Sequence, residues 1–299
     1  MTTPTTPTTP TSPTPAATPT PGPAQAQAQA PAAAPAFLPL PAPFHQRGPV
    51  TLYCGDSLQI LMALPPGSAD ALLADPPYSS GGAFRGDRMQ TTRAKYAQQG
   101  AAHELGDFSG DSRDQRGYLA WSTLWLTAAT HILTPGALVG VFADWRQLPV
   151  TTDALQAAGL VYRGIAVWLK NNGRPCLGRF ASQAEYIPWG TNGPRDATAG
   201  NCPRGWCEAP ASAEIGGAPP IADRVHLTQK PLPIMEWLCS PIAEGATILD
   251  PFAGSGTTLL AAIRTGHRAL GVEIDPKNCE AIAQRIDAEL DQKRLPFDL

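Results

Sequence analysis

A carboxylate, two prolines and an aromatic ring follow an apolar run in the first third of the chain. Residues 70–74 lead directly into Asp75, Pro76, Pro77 and Tyr78. Ligands of parallel sheets bind beyond the carboxyl ends of the strands, and proline fixes φ and lacks an N–H donor. We therefore expect the Asp75 carboxylate and the Pro76 carbonyl to present two fixed acceptors at a sheet edge.

Two such acceptors suit an exocyclic amine on a heteroaromatic ring. Two hydrogen bonds would draw the nitrogen lone pair out of conjugation with the ring and direct it towards an electrophile, while Tyr78 stacks on the ring. The alternative interpretation is an ordinary turn that ends a strand and exposes a tyrosine.

A second segment combines a predicted strand, a glycine turn, a helix and another strand that ends in an acid. Such a unit lets a nucleoside-bearing ligand approach the backbone at the glycines, while the acid accepts hydrogen bonds from ribose hydroxyls. The third glycine of the dinucleotide fingerprint is absent, which disfavours NAD, and an ordinary strand-to-helix turn is the alternative. The residues concerned are Asp250, Pro251, Phe252, Ala253, Gly254, Ser255, Gly256 and Thr257 in the turn, followed by Glu273 and Ile274.

Together the two segments resemble the S-adenosylmethionine-dependent DNA amino-methyltransferases. Asp-Pro-Pro-Tyr at 75–78 precedes Asp-Pro-Phe-Ala-Gly-Ser-Gly-Thr-Thr at 250–258, which is similar to the circularly permuted order of the beta class. Cys-Gly-Asp-Ser-Leu at 54–58 and Thr-Gln-Lys-Pro at 228–231 resemble two further segments of the family. The resemblance covers about residues 51–290.

The resemblance implies S-adenosylmethionine as cofactor and a flipped adenine in double-stranded DNA as substrate. Aspartate at the first position of the tetrapeptide is typical of members that methylate adenine N6, with cytosine N4 as the alternative. Transfer would be direct and in line, without a covalent enzyme intermediate. The implied catalytic residues are Asp75, Pro76, Pro77 and Tyr78. The implied cofactor-binding residues are Asp56, Asp75, Lys230, Asp250, Pro251, Phe252, Ala253, Gly254, Ser255, Gly256, Thr257, Glu273 and Ile274, with no metal.

Two other functional classes stay open. One is a DNA-binding module that holds the cofactor but has lost catalysis, which the intact segment 75–78 disfavours. The other is a nicotinamide-dependent oxidoreductase, which the missing third glycine disfavours.

From Val50 onwards, short apolar runs alternate with longer helical segments, a pattern typical of the α/β class. We predict a doubly wound, mostly parallel seven-stranded sheet, and the resemblance implies the class I methyltransferase fold. The predicted strands are 51–55, 70–74, 137–143, 161–169, 185–190, 246–250 and 269–274. The predicted helices are 118–133, 150–158, 231–242, 257–265 and 276–290, the last with Cys279, Ile282, Ile286 and Leu290 on one face.

The N-terminal segment differs in composition from the rest of the chain. Of the 33 prolines, 14 lie in residues 1–49, which contain no acidic residue and only Arg47 among Lys and Arg. A segment rich in Pro, Thr and Ala buries too little apolar surface to offset the entropy of ordering, so we predict a disordered tail. The methyltransferase domain is then expected at 50–299.

The charge balance and hydropathy limit the class of protein. The 299 residues carry 22 Lys and Arg against 25 Asp and Glu, which excludes a generally basic protein that coats nucleic acid. No apolar run reaches the ~18 to 20 residues of a membrane span, and the N-terminus lacks a basic-then-apolar signal pattern. We therefore expect a cytoplasmic protein with no membrane partner.

The six cysteines are scattered, so reduced thiols are expected. A zinc site made of Cys176, Cys202, Cys207 and His226 is disfavoured, because their spacing matches no zinc knuckle.

DNA contacts are expected from a local excess of basic residues that extends into segment 191–225, the candidate target-recognition segment. Phosphate contacts of this kind make binding salt-dependent. Segment 79–117 follows the tetrapeptide, so we expect that it could close over a flipped base, and a solvated charged surface is the alternative for both regions. A recognition segment this short is compatible with a homodimer. The basic residues of the first region are Lys170, Arg174, Arg179, Arg195 and Arg204.

Overall fold

The computed structural model describes residues 39–78, 113–171, 177–178, 180–195, 201–210 and 229–294. The elements within these ranges are, in chain order, β1 His45–Arg47, β2 Val50–Cys54, α1 Ser57–Ala63, β3 Ala69–Ala74, α2 Gln115–Ile132, β4 Leu133–Val141, α3 Leu148–Ala157, β5 Val161–Leu169, β6 Ala184–Thr191, β7 Trp206–Glu208, α4 Leu232–Cys239, β8 Thr247–Asp250, α5 Thr257–Arg264, β9 Arg268–Glu273 and α6 Pro276–Arg294. The strands form one sheet in the order β1-β2-β9-β8-β3-β4-β6-β5-β7.

The centre of the sheet is parallel. Strands β2, β9, β8, β3 and β4 lie side by side in the same direction. Strand β6 is antiparallel to both of its neighbours, β4 and β5, and the short β1 is antiparallel to β2. The sheet is therefore mixed.

All seven predicted strands are present, but the predicted number of strands was wrong. Strands β1 and β7 add three residues each at the two ends of the sheet. Three residues are too few to show the alternation of apolar and polar side chains by which a strand is predicted. Strand β1 also places the start of the sheet at His45 rather than at Val50, the predicted start of the domain.

The five predicted helices are confirmed as α2 to α6. The predicted apolar face of α6 is confirmed as well, because Cys279, Ile282 and Ile286 are fully buried and Leu290 packs against the same core. Helix α1 was not predicted, since seven residues give too few turns for a helical period to be recognised. Among the described residues, no helix combines the length and the apolar character that a membrane span requires.

Helices cover both faces of the sheet. Neighbouring residues of a strand point to opposite faces, and in β3 Leu72 belongs to one apolar cluster and Leu73 to the other. The Leu72 cluster includes Trp125 of α2, and the Leu73 cluster includes Ile234 of α4 and Ile282 of α6. A sheet with a core on each side is the doubly wound arrangement.

The carboxyl ends of the parallel strands meet at one edge of the sheet. Leu72 of β3 pairs with Leu249 of β8, so Asp75 and the glycine turn extend from this same edge. Strand β9 pairs with β8 and ends beside them at Glu273. Because β6 runs in the opposite direction, its second residue, Glu185, lies at this edge too.

Replacing Gly190 of β6 with alanine tests the pairing of β5 with β6. A Cβ at this position would meet the carbonyl oxygen of Val161 at 2.7 Å, a backbone atom that cannot rotate away. Gly190→Ala should lower the free energy of unfolding in urea by about 1 to 3 kcal/mol. Gly205→Ala is the control, because a Cβ there meets nothing within 4 Å, and it should change stability by less than ~0.5 kcal/mol. Equal stabilities of the two variants would contradict this register.

Candidate active site

The Asp-Pro-Pro-Tyr segment lies immediately beyond β3. The Phe142 N–H donates to the Ala74 carbonyl at 2.9 Å, so the chain after β4 lies against the start of the segment. Tyr78 is buried, with 9% of its surface exposed, and Pro76 is buried as well. The alternative of a turn that exposes its tyrosine is therefore wrong.

Asp75 forms a partly buried ion pair. Its Oδ2 lies 2.8 Å from Lys230 Nζ. Its Oδ1 is buried and has no hydrogen-bond partner among the described residues. Burial raises the pKa of Asp75, and the positive charge of Lys230 opposes this shift without cancelling it. One oxygen of the carboxylate therefore has acceptor capacity that the described part of the chain does not use.

Lys230 lies two residues before α4 and reaches the tetrapeptide. Besides Asp75, its Nζ contacts the Tyr78 hydroxyl at 3.4 Å and Glu185 Oε2 at 3.5 Å. It also lies 5.0 Å from the ring centroid of Phe142, within cation–π range. Burial lowers the pKa of Lys230, but Asp75 and Glu185 outweigh burial and the pKa is raised. That Lys230 also contacts a cofactor stays a prediction.

Glu185 and Lys170 complete this cluster, and sequence reasoning did not assign either residue to the site. Glu185 Oε1 forms a close ion pair with Lys170 Nζ, and Oε2 accepts a hydrogen bond from the Tyr78 hydroxyl at 3.2 Å. Burial raises the pKa of Glu185, but Lys230 and Lys170 outweigh burial and the pKa is lowered. Lys170 is thus ion-paired within the protein, and its contact with DNA phosphate stays a prediction. The only signal in the sequence is an acid near the start of an otherwise apolar strand.

The glycine turn follows β8. The Ala253 N–H donates to the Val272 carbonyl at 2.8 Å, and the Gly256 N–H donates to the Ala253 carbonyl at 2.6 Å. Gly254 and Gly256 have φ angles of +53° and +77°, which favour glycine. A Cβ at Gly256 would also meet Ile282 of α6 at 3.0 Å. Glycine is therefore required at 256 for conformation and for packing.

Glu273, at the end of β9, holds the turn. Its Oε2 accepts a hydrogen bond from the Gly254 N–H at 2.8 Å. Its Oε1 accepts from the Asp275 N–H at 2.9 Å and from Asn278 Nδ2 at 3.3 Å. Burial raises the pKa of Glu273, and these hydrogen bonds oppose the shift. The next residue, Ile274, is exposed.

Asp250 and α6 support the turn from either side. The Phe252 N–H donates to Asp250 Oδ1 at 2.9 Å, and burial raises the pKa of Asp250 to about 7. Arg285 of α6 donates a short hydrogen bond to the Ser255 carbonyl. The hydroxyl of Thr257, the first residue of α5, lies 3.0 Å from the Ser255 hydroxyl.

Asp56 lies at the same edge, two residues after β2, the strand that pairs with β9. It is exposed and caps α1 by accepting a hydrogen bond from the Gln59 N–H at 3.0 Å. The adjacent Ser57 hydroxyl donates to the Pro251 carbonyl at 2.5 Å, which ties α1 to the start of the glycine turn. The structure thus brings together Asp56, Glu273 and the turn, which the resemblance implies bind one ligand.

Phe252 anchors the turn to α2. Its ring centroid lies 5.3 Å from that of Trp121 and 5.1 Å from that of Trp125. The guanidinium of Arg113 lies 4.1 Å from the Trp121 ring centroid. The aromatic side chain of the turn is therefore packed against a helix.

The predicted basic surface is not assembled by the residues that the structure describes. Arg195 donates to the carbonyls of Gly136 at 3.2 Å and Pro241 at 2.8 Å, on the opposite edge of the sheet from Asp75. Arg204 is exposed. Outside the described residues lie Arg174, Arg179, 79–112, 196–200 and 211–228.

Within the described ranges, no group of three or more His, Cys, Asp or Glu side chains is placed to bind a metal. Cys202 is exposed and Cys207 is half-buried, both as free thiols. Cys176 and His226 lie outside the described residues.

Comparison with known proteins relates the chain to DNA methylases. Residues 69–285 match the N6_N4_Mtase family, described as DNA methylase. The type II methyltransferase M2.DpnII of Streptococcus pneumoniae is 25% identical over 266 residues, which cover 83% of this chain and 93% of that protein. The crystal structure of the M1.HpyAVI–SAM complex is 20% identical with a TM-score of 0.56, covering 80% of this chain and 99% of that chain. The cytosine-N4-specific PvuII DNA methyltransferase is 15% identical with a TM-score of 0.59, covering 84% of this chain and 88% of that chain, so these two solved structures share the fold.

Titration of Asp250 should make stability depend on pH. Its carboxyl has a pKa of about 7 in the folded protein and ~4 in the unfolded chain. The folded state therefore binds the proton more tightly, and the free energy of unfolding falls as the pH rises from ~4 to ~7. Asp250→Asn removes this loss, so its stability relative to the wild type should rise between pH 5 and pH 8 in urea unfolding, by at most about 3 kcal/mol.

Asp153→Asn, an exposed change on α3, is the control for this measurement. It should show no such rise between the two pH values. A difference between Asp250→Asn and the wild type that is the same at both pH values would contradict the assignment.

Proposed function

The chain belongs to the N6/N4 DNA methylase family, and from this premise we propose that it transfers a methyl group from S-adenosylmethionine to the N6 amine of an adenine flipped out of double-stranded DNA. Cytosine N4 is the alternative acceptor, because both bases carry an exocyclic amine with the same two donors. The aspartate at position 75 supports adenine, by resemblance to members of that specificity. The homodimer stays a prediction.

The observation that carries the proposal is the shared edge of β3 and β8. Asp75 Oδ1, which is buried and unpaired among the described residues, follows β3. The glycine turn follows β8, the strand that pairs with it. A buried acceptor without a donor costs ~1 to 3 kcal/mol, and an exocyclic amine would remove that cost. An amine at Asp75 and a cofactor at the turn would then be neighbours.

The turn fits S-adenosylmethionine, which supplies an electrophilic methyl group on a sulfonium. Glycine at 254 and 256 lets a ligand approach the backbone closely. Glu273 and Asp56 offer carboxylate oxygens that suit ribose hydroxyls and an adenine amine. The two carboxylates suit ribose hydroxyls and a cationic ligand, and it is the missing third glycine of the dinucleotide fingerprint that disfavours a nicotinamide-dependent oxidoreductase.

The chain's own residues would orient the amine and receive its proton. The amine donates to Asp75 Oδ1 and to the Pro76 carbonyl, which directs its lone pair towards the turn. Lys230 holds the other oxygen of Asp75. Once methylated, the nitrogen must lose a proton, and burial gives Asp75 a raised pKa that suits an acceptor at Oδ1. No nucleophilic side chain is required.

The same contacts would stabilise a base flipped out of the duplex. Extruding a nucleotide costs a few kcal/mol. Stacking on Tyr78 contributes ~1 to 3 kcal/mol, and the hydrogen bond to the buried oxygen of Asp75 adds to it. The two residues thus offset the cost of extrusion.

We also propose the circularly permuted order of the beta class. Strand β3 with the tetrapeptide precedes β8 with the glycine turn in the chain, although the two strands are neighbours in the sheet. This order supports the proposal, because in most methyltransferases the glycine turn comes first. The intact tetrapeptide and its ion-paired aspartate disfavour an inactive DNA-binding module.

Replacing Asp75 with asparagine should abolish methyl transfer. The amide has the shape of the carboxylate, but its NH2 group is itself a hydrogen-bond donor and cannot accept a hydrogen bond from the exocyclic amine. The negative charge is also lost. We expect the rate of labelled-methyl transfer to mixed-sequence DNA to fall at least ~100-fold. Affinity for S-adenosylmethionine, measured by calorimetry, should stay near that of the wild type. Asp153→Asn should transfer normally, and an Asp75→Asn rate within ~10-fold of the wild type would refute the role.

Sequencing of modified bases identifies the target. DNA from cells that express this protein and lack other amino-methyltransferases should contain N6-methyladenine at one sequence motif, and cells expressing Asp75→Asn should contain none. N4-methylcytosine alone would assign the alternative substrate. No modified base, despite folded protein that binds the cofactor, would favour the inactive module.

A further inference from the structure

Four charged side chains, of which Lys230 is buried and the other three are partly buried, alternate in sign on the tetrapeptide side of the site. Asp75 pairs with Lys230 and Glu185 pairs with Lys170, and a contact of 3.5 Å from Lys230 Nζ to Glu185 Oε2 joins the two pairs. Their side chains are between 10% and 23% exposed. Buried charges are costly unless each is matched by a partner. The position of each member therefore depends on the others.

Backbone pairing fixes Glu185 and Lys170. Trp168 of β5 lies opposite Glu185 of β6 in the antiparallel ladder. The Lys170 N–H donates to the Gln183 carbonyl at 2.7 Å, and Lys170 Nζ lies 5.0 Å from the Trp168 ring centroid. The pair thus rests on two strands that carry neither the tetrapeptide nor the glycine turn.

Each carboxylate divides its two oxygens between different partners. Glu185 contacts Lys170 through Oε1, and it contacts the Tyr78 hydroxyl and Lys230 through Oε2. Asp75 contacts Lys230 through Oδ2, whereas its Oδ1 is buried and has no partner among the described residues. The three donors of the Lys230 ammonium are matched by Asp75, Tyr78 and Glu185. The position of Lys230 therefore decides which oxygen of Asp75 is left for an amine.

We propose that Glu185, held by Lys170, is a positioning residue of the target-base site. Its carboxylate orients the Tyr78 ring through the tyrosine hydroxyl and holds Lys230 so that Asp75 Oδ1 receives the amine. This inference rests on the proposed function. Neither Glu185 nor Lys170 touches the base or the cofactor in this arrangement, so they act through Tyr78 and Lys230.

The pair has an electrostatic signature that a purely structural role lacks. Negative Glu185 raises the pKa of Asp75, and positive Lys170 lowers it. Asp75 accepts the amine best when it is ionised. The fall of kcat/KM towards acidic pH, the acid limb of its pH profile, should therefore follow the pKa of Asp75. Neutralising Glu185 should move that limb to lower pH, and neutralising Lys170 should move it to higher pH. Among the described residues, the titratable or charged groups that face Asp75 are Lys230, Glu185, Lys170, Asp250, Tyr118 and, three residues further along the chain, Tyr78.

The test compares Glu185→Gln and Lys170→Met with the wild type. Labelled-methyl transfer to mixed-sequence DNA across a range of pH gives kcat and KM, and calorimetry gives the affinity for S-adenosylmethionine. Glu185→Gln should lower kcat/KM for DNA by about 10- to 100-fold and leave the cofactor affinity unchanged. The two acid limbs should shift in opposite directions. Glu244→Gln, the same change at an exposed site before β8 and on the opposite sheet edge, should match the wild type.

Tyr78→Phe keeps the test decisive if either charge variant fails to fold, because it removes only the hydroxyl. It should lower kcat/KM, and its combination with Glu185→Gln should lose less than the product of the two single losses. Normal kcat/KM in Tyr78→Phe or Glu185→Gln, or acid limbs that shift in the same direction, overturns the positioning role alone. A wild-type protein that transfers no methyl group overturns the proposed function and the positioning role with it.

Discussion

The parallel pairing of β3 with β8 is the constraint on which the site depends. Leu72 and Leu249 are fully buried neighbours in this pair although most of the chain separates them in sequence. A register slip of one residue would turn every side chain of a strand to the opposite face of the sheet. Each side chain would then face the other apolar cluster, where it does not fit. The two-sided core therefore holds Asp75 and the glycine turn at a fixed distance from each other.

The second constraint on the site is the pairing of its partly buried charges. Asp75 and Glu185 both lie beside Lys230, yet the pKa of Asp75 is raised and that of Glu185 is lowered. The reason is that Glu185 has a second ammonium, Lys170, whereas Asp75 contacts one and keeps an oxygen without a donor among the described residues. One carboxylate is thus stabilised as a fixed anion, and the other gains most from a donor that arrives with a ligand.

Sequence reasoning found the tetrapeptide and the glycine turn, but it missed Glu185 and Lys170, whose strands lie on the other side of β3 from the turn. The tetrapeptide at 75–78 and the glycine turn at 250–257 were recognisable because their residue types act within a few positions of chain. The seven predicted strands followed from apolar runs that alternate with helical segments, whereas β1, β7 and α1 are too short to give a recognisable pattern. Lys170 was grouped with nearby basic residues, because nothing in the local pattern indicates that β6 turns back and brings Glu185 to its ammonium.

The sequence by itself determined which groups the chain carries at the ends of its strands: a carboxylate with rigid prolines and a ring, and glycines followed by an acid. It also determined most of the elements, since apolar spacing is a local property. Only the tertiary structure decided which of these groups meet, which oxygen of Asp75 is paired, and in which direction its pKa departs from the ordinary value. Those quantities depend on burial and on pairing between strands that are distant in sequence, and no local pattern encodes either.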